Sequence, residues 1–149
     1  MKTKYVEKFY VAGITTRTNN ETELNEQTAT IPALWDKYAD DNIESKTFNK
    51  SKNMAMYGLY NKYEKDMNAD YDYTIGVEVT KPKNAIAVEK DKYLVFSKTG
   101  EFPEIVIEAW QDVWAYFDSK ECSHERTYNI DFEKYVSEDE LEIYISIKK

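Results

Sequence analysis

The sequence predicts an α+β domain made of tandem β-α-β-β repeats, with pseudo-twofold symmetry and a ligand cleft between its halves. The expected architecture is one curved antiparallel sheet with two helices on one face. Three observations predict it. Two runs, Tyr71-Asp72-Tyr73-Thr74-Ile75-Gly76-Val77-Glu78-Val79 and Leu141-Glu142-Ile143-Tyr144-Ile145-Ser146-Ile147, alternate in the period-two manner of strands. Two other stretches carry apolar residues at helical spacing: Ile31, Leu34, Trp35, Tyr38, and then Ile107, Trp110, Val113, Trp114, Phe117. Finally, the order strand, helix, strand, strand occurs twice, on either side of a polar join at Lys81-Pro82-Lys83-Asn84. Residues 1–149 therefore read as a single domain, with one repeat over about 1–82 and the second over about 83–149.

In the first half, Phe9 to Thr18 is a β-rich run that ends in polar turn residues. A loop over 19–27 leads to a helix with Thr30 as its expected N-cap and Pro32 in the first turn, where a missing N–H costs little. Met54 to Tyr60 and Tyr71 to Val79 supply the next two strands. In the second half Tyr93 to Gly100 is the opening strand, and Pro103 and Glu104 begin the helix. Arg126 to Glu133 and Leu141 to Ile147 close the unit. The helix stripe Trp110-x-x-Val113-Trp114-x-x-Phe117 overlays Ile31-x-x-Leu34-Trp35-x-x-Tyr38, which points to duplication. A junction between duplicated halves is a favoured place for a ligand, and loops 19–27 and 84–92 could cover or open it.

Composition narrows the function. The formal net charge is −8, and no Lys/Arg cluster is free of interspersed acids. A nucleic-acid binder needs a basic patch to displace counterions from phosphates, so direct nucleic-acid binding is not expected. An acidic field attracts cations instead, organic ones included. The N-terminal residues are charged where a signal peptide needs an apolar run, and no run approaches the length of a membrane span. The lone cysteine, Cys122, leaves no internal disulfide and suits a reducing compartment; a cytoplasmic location is expected. Cys122-Ser123-His124 lies in a charged loop without the electropositive setting of a catalytic thiol. One His and one Cys make a zinc site of such ligands unexpected, and the four glycines never cluster into a phosphate loop. No metal or cofactor is expected. Aromatic residues make up 15%, including 13 Tyr, which suits both pleated strands and amphipathic pockets.

A sequence of landmarks carries a resemblance across nearly the whole chain. These are the early helix with Trp35, Tyr57-Gly58-Leu59-Tyr60, and the strand ending Gly76-Val77-Glu78-Val79. The helix with Trp110 and Trp114 follows, then Phe132-Glu133-Lys134-Tyr135 and the closing Glu142-Ile143-Tyr144-Ile145-Ser146-Ile147. In order and spacing they resemble the effector-binding domain of AraC-type regulators, also called the GyrI-like small-molecule-binding domain. The likeness is greatest to stand-alone members, including those on mobile gene cassettes. It implies a cleft for amphipathic aromatic molecules, often cations, with a glutamate inside. That glutamate belongs to a Phe-Glu-x-Tyr element, here Glu133. The sequence departs from the pattern at Ser146, where many relatives carry proline; an effect on the sheet edge is expected.

Taken without the resemblance, Glu133 also reads as an exposed strand-end acid. With it, Glu133 becomes a buried counter-charge for a cationic ligand, because a carboxylate in an aromatic cleft is costly until a positive charge pairs with it. Trp110 and Trp114 share a helix face and suit either the core or a cleft wall, where an indole holds a planar cation. Pseudo-symmetry places Trp35 and Tyr57 on the opposite wall, with Tyr60 in a similar place, although packing accounts for each equally well. Tyr144, on the less apolar side of its strand, is a candidate polar contact. Some members of the broader family hydrolyse reactive ligands with a paired Trp and Glu, which Glu133 with Trp110 or Trp114 would supply. A third alternative is a protein-interaction module such as an inhibitor of DNA gyrase. The two repeats leave no room for a helix-turn-helix, so the partner expected first is a small molecule, with a protein partner as the alternative.

Overall fold

The computed structural model describes residues 1–149. Strands β1 (Lys2–Val6) and β2 (Phe9–Thr18) are followed by helices α1 (Asn20–Glu23), α2 (Ile31–Asp40) and α3 (Ile43–Lys46). The chain continues with β3 (Met56–Asn61), β4 (Tyr71–Val79), β5 (Ile86–Val88), β6 (Asp91–Thr99), α4 (Glu104–Asp118), β7 (Asp131–Ser137) and β8 (Glu140–Ser146). All eight strands form one sheet in the order β1-β6-β8-β7-β3-β4-β2-β5, antiparallel throughout. Exchanging β1 to β4 with β5 to β8 reverses this order onto itself. The pseudo-twofold axis therefore passes between β3 and β7.

The fold agrees with the α+β expectation and adds detail. Each half has an extra leading strand, β1 or β5, which pairs with the opposite half: β1 with β6, and β5 with β2. Only Glu7 and Lys8 separate β1 from β2, and only Glu89 and Lys90 separate β5 from β6. Each two-residue link joins strands near opposite ends of the sheet, so the sheet must curl into a half-barrel. The links meet through reciprocal ion pairs, Lys8 to Glu89 at 3.3 Å and Lys90 to Glu7 at 3.5 Å. These pairs are exposed and contribute little stability.

Alternation divides the buried side chains between two faces. Tyr60, Tyr73, Ile75, Ile143 and Ile145 pack towards the helices, together with Ile105, Ala109, Trp110 and Val113 of α4. Tyr57, Leu59, Tyr93, Val95, Phe132 and Tyr144 fill the other face. Helix α4 holds its place because four side chains of one stripe are buried, each large one contributing about 1.5–3 kcal/mol. Helix α2 buries only Tyr38, so its inner stripe is left with space beneath it.

Three local expectations are corrected. Thr30 makes no side-chain cap on α2; Glu23 does so instead, accepting from the N–H groups of Thr30 (3.0 Å) and Ile31 (2.8 Å). The last hairpin begins at Asp131 rather than Arg126, which makes only an isolated bridge to Ile147. Ser146 is not at an edge: β8 lies between β6 and β7, and Ser146 is fully buried.

Candidate functional site

The space under α2 is a cavity of about 520 Å³, a volume suited to a drug-sized ligand. Its floor is the helix-facing side of β3, β4 and β7, with Tyr60, Tyr71, Tyr73, Glu133 and Tyr135. One wall is Ile31, Pro32 and Trp35 of α2, and the other is Val106, Ile107, Trp110 and Trp114 of α4. Asn20, Glu23 and Leu24 close the top, and Tyr63, Met67 and Arg126 close one end.

Register explains how the floor is assembled. Gly58 of β3 stands opposite Glu133 of β7 and opposite Ile75 of β4; two residues on, Tyr60 stands opposite Asp131 and Tyr73. Because Gly58 has no side chain, the Glu133 carboxyl lies over it. A Cβ there would come within 2.4 Å of both Glu133 Oε1 and the Tyr73 hydroxyl.

Glu133 is 1% exposed and accepts four hydrogen bonds. Tyr73 and Tyr135 donate to Oε1, each at 2.8 Å, while Tyr60 (2.8 Å) and the Trp110 indole N–H (2.7 Å) donate to Oε2. Burial pushes its carboxyl above the ordinary value, against these four donors, which favour the charged form. Burial, reinforced by the nearby Glu133 charge, raises the Tyr60, Tyr73 and Tyr135 hydroxyls well above the usual range, so they remain protonated donors. The donor-only indole and three protonated tyrosines form a cradle shaped for a carboxylate.

A second buried carboxylate shares the strand. Asp131 lies two residues before Glu133, on the same face of β7, with no exposure. Its partners include a cation: Arg126 Nη2 donates to Oδ2 at 2.7 Å, with Tyr63 on the same oxygen at 2.6 Å. The Ser146 backbone N–H donates to Oδ1 at 2.8 Å, a bond that proline at this position cannot make. Asp131 therefore has its counter-charge built in. Glu133 has neutral partners only.

At the top, Glu23 accepts from Thr18, Thr30 and Ile31. Burial acts to raise its carboxyl, but the bonds from Thr18, Ile31 and Thr30 outweigh it and hold the group below the ordinary value.

Of the residues singled out in the sequence, Glu133, Trp110, Trp114, Trp35 and Tyr60 line this cavity. Trp110 rather than Trp114 bonds Glu133; Trp114 lies beside it with ring centroids 6.2 Å apart, and Trp35 meets Tyr135 edge-on at 5.1 Å. Tyr57 and Tyr144 do not join them. Both point to the other face, where they pack with Phe132, Tyr144 stacking on it at 4.4 Å. Odd and even positions of β3 and β8 face opposite ways, so neither can reach the cavity. Segment 20–24 covers the cavity, whereas segment 84–92 contributes nothing to its lining. Sequence reasoning passed over Tyr63, Tyr71, Tyr73, Tyr135 and Arg126. The available signal was the same-face alternation of Tyr71 and Tyr73, and Tyr135 within the Phe-Glu-x-Tyr element. No helix is long and apolar enough to cross a membrane.

A curled, pseudo-symmetric sheet with an aromatic cavity against its paired helices defines a GyrI-like effector-binding domain, a fold that takes small molecules. The chain belongs to the integron-associated effector binding protein family, Cass2, whose model matches residues 2–147. It is similar to the integron cassette protein VCH_CASS2 from the mobile metagenome of Vibrio cholerae, at 35% identity and a TM-score of 0.86 over 99% of this chain and 95% of that one. YobU of Bacillus subtilis (strain 168), named as a candidate transcriptional regulator, is 30% identical over 93% of this chain and 91% of its own length. The fold also matches the structure of SAV2435 bound to tetraphenylphosphonium, with a TM-score of 0.76 at 17% identity, over 99% of this chain and 93% of that one.

Proposed function

We propose that the protein binds aromatic organic cations in the cavity under α2, with Glu133 as the counter-charge. One observation carries this reading: of two buried carboxylates on one strand face, Asp131 has a resident cation and Glu133 has only neutral donors. A buried carboxylate without a cation is costly, and a cationic ligand removes that cost on entry. Trp35, Trp110 and Trp114 line the same cavity, and an indole ring holds a cation well. The bound tetraphenylphosphonium in the structural relative SAV2435 is consistent with this class of ligand.

Binding is favoured over hydrolysis by Glu133. Both of its oxygens already accept two hydrogen bonds, so no lone pair is free to take a proton from water.

The test is a titration followed by tryptophan fluorescence, since all three tryptophans line the cavity. Tetraphenylphosphonium and tetraphenylborate share a shape and differ in sign. The cation is expected to saturate and the anion to fail, with Glu133→Gln weakening the cation by about tenfold, as for loss of a charge-assisted contact. Equal binding of both ions, unchanged in the variant, would discard the counter-charge.

A further inference from the structure

Arg126, Tyr63 and Met67 form one part of the cavity lining, joined by the bonds of Arg126 and Tyr63 to Asp131 and by the Arg126–Met67 contact. Arg126 is 8% exposed, and its guanidinium is a fork of N–H donors with no capacity to accept. Its bonding is incomplete. Nη2 donates to Asp131, Nε is buried with no acceptor, and Nη1 reaches only the Met67 sulfur at 3.7 Å. A thioether is a weak acceptor. The guanidinium is held in position by stacking on Tyr128, 4.6 Å from the ring centroid, and on Phe117 at 5.7 Å. Asp131 keeps it charged: burial disfavours the charge, but the adjacent carboxylate raises the Arg126 pKa overall.

We infer that Arg126 is a second specificity group, which takes a neutral carbonyl oxygen of the ligand in place of the Met67 sulfur. This rests on the cation reading above and extends it: the preferred ligand is an aromatic cation that also carries an amide or ketone. Glu133 would engage the positive centre and Arg126 the oxygen. A neutral acceptor fits better than a carboxylate. Asp131 already neutralises Arg126, and Glu133 and Glu23 also border the cavity, so an added negative charge would meet like charges. An amide oxygen satisfies the idle donors without that repulsion, and under-satisfied buried donors are where a polar ligand group gains most.

The test uses two probes of one shape, 1-(naphthylmethyl)-3-carbamoylpyridinium and its 3-isopropyl analogue, with the wild type, Arg126→Lys and Met67→Leu. Arg126→Lys keeps a cation beside Asp131 but loses the fork geometry. The ratio of the two dissociation constants is expected to shift by about tenfold against the amide in Arg126→Lys, the scale of a charge-assisted hydrogen bond. Met67→Leu leaves the Arg126–Asp131 pair in place and frees Nη1, so it is expected to shift the ratio of the two dissociation constants by about threefold in favour of the amide probe. This variant keeps the inference testable should Arg126→Lys not fold. A ratio equal in the wild type and Arg126→Lys would overturn the inference, as would equal effects of Met67→Leu on both probes. If the isopropyl probe itself does not bind, or ignores Glu133→Gln, the cation reading has failed instead.

Discussion

Gly58→Ala tests the architecture of the site most directly, because its effect can be worked out from the structure before any ligand is added. The new methyl would lie 2.4 Å from Glu133 Oε1, 2.4 Å from the Tyr73 hydroxyl and 2.9 Å from the ring carbon that bears it. None of these atoms can yield easily. Glu133 is fixed by four donors, and Tyr73 is 1% exposed. Overpacking of this kind costs about 1–3 kcal/mol, and loss of one hydrogen bond to the carboxylate adds about 1.5–3 kcal/mol. Replacing glycine within a strand returns about 0.5–1 kcal/mol of backbone entropy. The net expectation is a loss of about 1.5–5.5 kcal/mol. For a chain of 149 residues, each kcal/mol lowers the melting temperature by about 3 °C, so a fall of about 5–16 °C is expected by thermal denaturation. Adding Tyr73→Phe removes one of the clashing oxygens and should recover part of the loss, a non-additivity that separates the local clash from a general strand effect. A melting temperature within about 2 °C of wild type would refute the reasoning, since the carboxyl would then not lie over Gly58.

Three further outcomes follow from the same geometry. Affinity for tetraphenylphosphonium should fall as pH drops through the raised titration of Glu133, above the ordinary 4.5 of its carboxyl, and level off once the group is ionised; Glu133→Gln should be flat over that window in the same titration. Arg126→Met leaves Asp131 buried without a cation and should cost about 3–5 kcal/mol in chemical denaturation, while adding Asp131→Asn should restore much of it. Tyr144→Phe, on the other face of the sheet, should leave tetraphenylphosphonium affinity within about twofold of wild type by fluorescence, as for a site that shares no partner with the cavity.

The strands and helices were legible because each of their signals is local. Phe9–Thr18 and Tyr71–Val79 show their ends in the sequence, since polar residues bound runs of clear period. The leading strands were not: Lys2–Val6 is short and mostly exposed, and it becomes a strand only by pairing with Asp91–Val95 of the other half of the chain. The same division runs through the site. Glu133 was reached through the Phe-Glu-x-Tyr resemblance, and the tryptophans through helical spacing. The tyrosines that bond Glu133 come from three strands whose adjacency is a matter of register, which composition does not encode. Tyr57 and Tyr144 show the cost of that gap. Each is one residue out of phase with the helix-facing positions of its strand, and one residue in a strand moves a side chain to the other face of the sheet.

The two carboxylates of β7 amount to a controlled comparison within one strand. Asp131 and Glu133 share a face and an absence of solvent, and each accepts from tyrosine, Asp131 from Tyr63 and Glu133 from Tyr60, Tyr73 and Tyr135, so the ordinary needs of folding act on both alike. Only Asp131 is given a cation. A raised carboxyl pKa means that the native state holds its proton more tightly than the unfolded chain does. Glu133 therefore weighs least on stability below its ordinary 4.5, and its cost grows as pH rises to the folded value and then stays constant. At neutral pH Glu133→Gln should then melt higher than the wild type, although the same change is expected to weaken cation binding. A side chain whose removal stabilises the fold is one that folding alone does not explain, and the cavity beside Glu133 supplies a reason for keeping it.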